Sequence, residues 1–504
     1  MKKIVAIILV TALIFPAFLL LKNLFSPNLP EMDLQAMEEQ TVYLQPERHI
    51  YDIKADYDGK NKFEAQMNLT YVNNTGNTQK ELCFHLYPNM FSSSKRVPFF
   101  KEDFYRAFPQ GFSLGGIEIK QIKQDGKKTA WSMMHDDQIL HVTLENPIQP
   151  EEISNIYMQF DLTVPKARFR FGYQTFGKDK ITMSLGNWYP ILAVYKDGQW
   201  SIDRHQAVGD CTYSDISDYT VRFTVPKDFT VAASGILEND YIENNQAVFI
   251  YSIDRIREFA ATISNNYQTA SEVIDGIKVT SYFHPEDKQG GFMALNVAKY
   301  ALGIFNEAFG KYPYPELRIA EANYYPGGME FPTFIMMDSG RYKNENLSNT
   351  SLERSTAHEV AHQWWYNLVG SDQINEPWLD EGITEFSTAY YFEKRYGEPG
   401  RESYFSRQVD TTIDFIKNNA RHMLDPLPLF KSHSEYFAEV YVSGVLFYEE
   451  LRSLIGEENL LDFFRSYLET FKYKNVNLQE FIEFLKSKNY EALDESFYNK
   501  WFNP

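Results

Sequence analysis

The stretch HEVAHQWWYNLVGSDQINEPWLDEG, residues 358–382, sets two histidines four positions apart around a glutamate and follows them with two acids, Asp380 and Glu381. On an α-helix four residues turn through about 400 degrees, so His358 and His362 project from one side, one turn apart. Two imidazole nitrogens so placed reach one ion at the roughly 2.0–2.1 Å typical of zinc. Glu359 points off at about 100 degrees, beside such an ion and not on it, where a base for an activated water belongs. In a chain with ten histidines a chance H-E-x-x-H arises roughly once or twice in a hundred. The alternative is two ordinary helix histidines, one of them buried and hydrogen-bonded, and further matches decide between the readings.

The segment before it reads as the start of that helix. Thr350 and Glu353 form a T-x-x-E capping box, and the spacing predicts a helix running to Gly370. A second helix is expected from near Pro377 to about Tyr396, where Gly397 and Pro399 end it. Zinc in such a site wants a third protein ligand from a helix packed against the first. Eighteen residues separate His362 from Glu381, which leaves room for a helix end, a loop through Gly370 and Asp372, and a new helix start. Glu385, one turn beyond Glu381, is a candidate partner for the outer ring nitrogen of a histidine ligand, although a solvent-facing carboxylate explains it equally well. Trp364, Trp365 and Tyr366 read as packing rather than substrate contacts.

An HExxH, eighteen residues, then a glutamate set in Trp378, Leu379, Asp380, Glu381 and Gly382 resembles the aminopeptidase N family of zinc metallopeptidases, the gluzincins. The family often has Asn where this chain has Asp380. Upstream, GGMEF at 327–331 resembles the family's GxMEN element, an edge segment whose glutamate holds the free α-amino group of the substrate. That resemblance implies substrate binding by Glu330 with Gly327, Gly328 and Met329, and Phe331 stands where Asn is usual. The chemistry is sensible, because an ammonium entering a closed cleft needs an anion, and a fixed carboxylate also measures where the peptide begins. VYVSGVLFYEEL, from Val440, resembles the Y-x-K-G segment whose tyrosine steadies a forming oxyanion, which implies that part for Tyr441, with Ser443 in place of the lysine. HLYPN at 85–89, NWYP at 187–190 and GDCTYSDISDYTV at 209–221 look like the family's N-terminal β domain, so the resemblance runs from roughly Tyr43 to the end. It implies one Zn2+ per chain, held by His358, His362 and Glu381, with Glu359 and Tyr441 catalytic. The chain ends soon after Tyr441, so the large C-terminal helical domain of longer relatives is expected to be missing and the cleft more open.

From about Tyr43 to Tyr267 the dominant period is two. Phe63, Ala65, Met67, Leu69 and Tyr71 alternate with polar residues, as do Ile156, Met158, Phe160, Leu162 and Val164, and Val221, Phe223 and Val225. Strands without intervening helices imply an antiparallel sandwich or saddle-shaped β domain. After about Ile277 the period lengthens. FMALNVAKYALGIFNEAFG predicts a helix ending at Gly310, a strand-like segment follows from Leu317, and from Val440 the chain is largely helical. The fold expected is therefore multidomain: an all-β saddle or sandwich over 43–267, then a thermolysin-like α/β, mainly helical, catalytic domain over 268–504, the latter as the resemblance implies. No internal repeat or low-complexity tract interrupts it.

At 504 residues, 44% hydrophobic and 16% aromatic, the chain is long and apolar enough for two or three domains with substantial cores. Its net charge of −19 excludes the basic face that a nucleic-acid partner requires. Lys2 and Lys3 precede an uncharged run of eighteen residues, Ile4 to Leu21, which as a helix at about 1.5 Å per residue nearly crosses a hydrocarbon core of about 30 Å. The lysines would stay cytoplasmic and send everything after Lys22 outside. FLLLKNLFSPNL offers no small-x-small cleavage site, so an uncleaved anchor over 1–25 with a linker over 26–42 is expected, with a cleaved signal peptide as the alternative. This gives a single-pass cell-membrane protein with its catalytic domain extracytoplasmic, or a secreted one. Cys83 and Cys211 provide no CxxC pair, and separate burial is preferred over one disulfide.

The function expected is a zinc-dependent metallopeptidase that removes N-terminal residues from peptides. An endopeptidase or a dipeptide-releasing enzyme with the same zinc chemistry is the alternative that Phe331 and the open cleft favour. A non-catalytic peptide-binding surface module with a structural zinc is the rival of another class. Peptides and, through the N-terminal helix, the membrane are the expected partners, and no obligate protein partner is evident.

Overall fold

The computed structural model describes residues 46–343, 350–418 and 421–503. The expected anchor and linker lie outside them, and among the described residues no helix is long and apolar enough to cross a membrane.

Residues 50–264 build an eight-stranded sheet and two four-stranded sheets. Alternation decides which face is wet. Along Lys62–Val72, Phe63, Ala65, Met67, Leu69 and Tyr71 turn inward and are almost fully buried, while Glu64, Gln66 and Asn68 face water. Each large apolar side chain so buried stabilises the fold by about 1.5–3 kcal/mol relative to exposure. The strand pairs with Ile153–Thr163 in full register, Met67 opposite Met158. The expected antiparallel plan has one exception, since Ile50–Tyr57 runs parallel to Ser217–Pro226 with Ile53 opposite Val221. Parallel neighbours need a long crossover, and the intervening chain supplies one while building one four-stranded sheet and two strands of the other. Cys83 and Cys211 are free, buried thiols.

A five-stranded sheet begins at Gln268, so strands continue to Phe283, past the point where the lengthening period suggested helices. Its order is Gln268–Ile274, Ile277–Phe283, Glu316–Ala322, Phe334–Asp338 and, at the edge, Gly328–Met329. Both edge strands pair antiparallel, Gln268–Ile274 with Ile277–Phe283 and Gly328–Met329 with Phe334–Asp338, and the inner pairs are parallel. The helix Lys288–Phe309 packs on this sheet through Ala294, Leu295, Ala298, Ala301, Leu302 and Phe305 and stops at Gly310. The helices Ser351–Ala361, Trp378–Tyr396, Ser443–Ile455 and Glu457–Phe471 complete the second half. Near the end, Asn477 and Glu480 form a reciprocal capping box for Leu478–Ser487.

Two expectations about the histidine helix are corrected. Thr350 precedes its first residue but has φ +63° and makes no side-chain cap; its hydroxyl accepts from Arg407, and Glu353 accepts from Tyr391 and Tyr396. The capping box is absent because both side chains have tertiary partners. Nor does the helix continue to Gly370. It ends at Ala361, and the wider turn Gln363–Leu368 contains the non-helical residues Trp365 and Tyr366. The cause lies a hundred residues upstream, where the buried Arg257 donates from Nε to the Tyr366 carbonyl at 2.6 Å, from Nη1 to Ser214 O at 2.9 Å and from Nη2 to Lys474 O at 2.6 Å.

Candidate active site

The break after Ala361 puts His362 at the end of its helix, one turn beyond His358, and frees the chain to swing into Val369–Ser371 and back to the helix Trp378–Tyr396. Glu381 sits in the first turn of that second helix. Its neighbour Gly382 packs backbone to backbone on Gly444, and a Cβ on Gly444 would run into Gly382 Cα. This approach draws the segment carrying Tyr441 onto Glu381, whose Oε1 accepts the Tyr441 hydroxyl at 2.5 Å.

His358 Nε2, His362 Nε2 and Glu381 Oε2 converge on one point. The two nitrogens are 3.1 Å apart, and the carboxylate oxygen lies 3.2 Å from His358 and 3.4 Å from His362. A tetrahedral ion with ligands at about 2.0–2.1 Å has donor-to-donor edges of about 3.3 Å, so the three atoms already stand at the corners of such a site. The outer nitrogens are also fixed. His358 Nδ1 faces Glu385 Oε2 at 2.7 Å, and His362 Nδ1 faces Asp380 Oδ1 at 2.7 Å. Each ring is thereby turned so that Nε2 points to the common centre, the arrangement that carboxylates give to metal-binding histidines. Burial disfavours the His358 cation, but hydrogen bonds to Glu381 and Glu385 outweigh it and hold the ring at about 9. Burial likewise favours a neutral Glu381, but hydrogen bonds from the two histidines bring it down to about 2. A divalent cation entering this set would replace the protons. The residues present fit zinc.

The three donors open onto a cleft of about 350 Å³, walled by both halves of the chain. Glu359 lines it, with Oε2 buried and without a hydrogen-bond partner among the described residues. Burial raises its carboxyl above the usual range, against the pull of His358 and His362. Gly328 of the edge strand lies directly on Glu359, where a Cβ would collide with the carboxylate. Two residues on, Glu330 is 4% exposed with Oε1 unpartnered. Its loop is tied to the histidine segment by Gln363, whose Oε1 accepts from Thr333 N–H at 2.8 Å and whose Nε2 donates to Glu330 O at 3.4 Å. Met329 and Gly328 also face the cleft, while Gly327 lies at its edge beside Arg341. Phe331 is fully buried with its ring against Gly186, so it presents nothing to a substrate. Trp364 and Trp365 are core residues, their indoles donating to Gly310 O and Ser387 Oγ.

Residues 293–501 match the peptidase family M1 domain. Over that stretch the chain is a peptidase family M1 domain. Within its M1 domain stand the histidine pair, Glu359, Glu381, Glu330 and Tyr441 alike. Among curated proteins, endoplasmic reticulum aminopeptidase 2 of Homo sapiens is 26% identical over 262 residues, 50% of this chain and 27% of that protein. Alanine/arginine aminopeptidase of Saccharomyces cerevisiae is 27% identical over 227 residues, 42% of this chain and 25% of that protein. The chain thus spans about a quarter of the length of these relatives. An M1 zinc metallopeptidase from Deinococcus radiodurans superposes with a TM-score of 0.63 at 17% identity, covering 90% of this chain and 92% of that one. The two-part arrangement, sheets followed by a helical region, is the M1 fold.

Two parts of this site were not foreseen from the sequence. Asp380, noted only as a departure from the family's usual Asn, holds His362, and its other oxygen accepts from Gln373. An acid beside the third candidate ligand was the available signal. The other is the buried pair of Arg170 and Asp210, which the β sheets carry to the cleft wall near Glu330. Asp380 acts on a ring 18 residues earlier in the chain, and Arg170 and Asp210 meet from 40 residues apart.

Proposed function

We propose that this chain is a peptidase of family M1, a zinc-dependent aminopeptidase with one zinc ion per chain, held by His358, His362 and Glu381. The observation that carries this reading is the convergence of three donors at tetrahedral edge lengths on the wall of a cleft that also holds an unpartnered buried carboxylate, Glu330. Zinc supplies Lewis acidity to a carbonyl oxygen and to water. Glu359 takes a proton from the attacking water at its free Oε2 and passes it to the departing amine. Tyr441 turns its O–H from Glu381 to the oxygen on which negative charge develops. Glu330 offers the α-ammonium of the peptide the charge partner that its carboxylate lacks, which fixes the cleavage one residue in.

The endopeptidase alternative rests on Phe331 and an open cleft, and the unpartnered buried Glu330 carboxylate supports the aminopeptidase over it. A purely structural zinc is disfavoured by the donor set, since structural sites are closed by four protein ligands. The location read from the chain is a single-pass anchor at Ile4–Leu21 with the peptidase body outside the cell, secretion after cleavage being the alternative; the lysines before the run support the first.

The test is cleavage of a peptide library with product ends assigned by mass, run on free and N-acetylated peptides and on the Glu359→Gln variant. Loss of single N-terminal residues from free peptides, none from acetylated ones, and a fall in kcat of about 10²–10⁴ in Glu359→Gln are expected. Equal cleavage of acetylated peptides at internal bonds would replace the aminopeptidase with an endopeptidase.

A further inference from the structure

Four arginines stand on the cleft walls: Arg106, Arg170, Arg341 and Arg354. Three have a carboxylate at hand. Arg106 Nη1 lies 3.4 Å from Asp103, Arg170 pairs with Asp210, and Arg354 Nη2 lies 2.6 Å from Glu385. Arg341 has no ion pair among the described residues, and it donates there to a neutral acceptor, the Ser351 carbonyl, at 3.2 Å. It is half-buried, and burial together with the Arg354 charge works against its cation, offset in part by Asp338 and Glu359. A partly desolvated guanidinium with no ion pair among the described residues can take a carboxylate from the ligand.

The edge strand shows where that ligand would lie. A Cβ on Gly327 would stand 2.6 Å from Arg341 Nη2, Gly328 abuts Glu359, and a Glu330 carboxylate oxygen lies within 4.8 Å of donor atoms of Glu359 and His362. A cation, the base and an anion thus follow one another along Gly327 to Glu330, with Gly328–Met329 between them as strand. At about 3.3 Å per residue, Gly327 and Glu330 are at most about 10 Å apart. An extended peptide of two or three residues has its charged ends about 7–10 Å apart on the same rise. We propose that Arg341 receives the α-carboxylate of a short peptide whose α-ammonium is held at Glu330, so that the cleft selects di- and tripeptides. This rests on the aminopeptidase reading above. It adds to that reading a measure of the far end of the substrate.

The test compares Ala-Ala and Ala-Ala-Ala with their C-terminal amides, and Ala-Glu-amide with Ala-Gln-amide, on the zinc-loaded native chain and on Arg341→Gln and Arg341→Lys. A charge-assisted contact predicts that kcat/KM for each free acid exceeds that of its amide by about tenfold or more. The acid-to-amide ratio should fall to near one in R341Q and recover in part in R341K, whatever the absolute rates. A ratio near one in the native chain, or one unchanged by R341Q, overturns the proposal while cleavage of both peptides leaves the aminopeptidase reading standing. Preference for Ala-Glu-amide over Ala-Gln-amide without preference for the free acids would assign Arg341 to an acidic side chain and overturn the α-carboxylate. Failure to cleave any of these peptides while longer free peptides lose their N-terminal residue overturns the proposal and leaves the aminopeptidase reading standing, and failure on both removes that reading.

Discussion

His362 Nδ1 stands 2.7 Å from an oxygen of Asp380, the residue next to Glu381 in the sequence. One helical turn therefore supplies both a donor to the common centre and the group that orients another donor. Removing Asp380 leaves the His362 ring with Trp365 O and Thr384 Oγ1, each at 3.2 Å. Asp380→Ala is expected to weaken zinc affinity about 10–100-fold. Asp380→Asn should keep most of it, since an amide oxygen accepts the same N–H. Competition against a chelating dye checks both, and an unchanged affinity in Asp380→Ala would show that the weaker contacts suffice.

Tyr441 rests on Glu381 and stacks near-parallel on the His358 ring, with centroids 5.7 Å apart. If its hydroxyl serves the developing oxyanion, Tyr441→Phe lowers kcat by about 10²–10³ and leaves the zinc content as it was. Metal analysis alongside steady-state kinetics separates this from loss of a prop for Glu381, which would lower both.

His85 and His205 are buried neutral rings in the β half, lowered from 6.5 to about 4 by burial, with the Arg170 charge a further cause for His205. Their folded values lie below the unfolded one, so their stabilising effect is complete above pH 6.5 and is lost as the pH falls toward 4 and the unfolded chain takes up protons first. Each contributes about 3 kcal/mol at most, at about 1.4 kcal/mol per unit. The melting temperature should drop steadily from pH 6.5 to 4.5, and His85→Gln should flatten that slope. A profile of His85→Gln identical to that of the native chain would contradict the assignment.

Where a signal was local, it was legible. Strands such as Lys62–Val72 announced themselves by strict alternation, because one face meets water and the other the core. The helix ending at Gly310 did so by its apolar spacing, and the HExxH by a spacing that only a helix makes useful. The break at His362 was hidden because its cause, Arg257, lies far away in sequence and acts through backbone carbonyls. The capping box at Thr350 failed for the same reason, since Arg407, Tyr391 and Tyr396 claim its two members. Asp380 looked like a substitution with no partner because nothing in a linear reading places it under an imidazole eighteen residues earlier.

The most direct measurement is the metal content of the folded, purified chain by elemental analysis after zinc loading and removal of excess ion. One zinc per chain, lost in Glu381→Ala and retained in Glu359→Gln, is the predicted result. A native chain that retains no zinc after loading, or a Glu381→Ala chain that holds it as tightly as the native one, would contradict the site built from His358, His362 and Glu381.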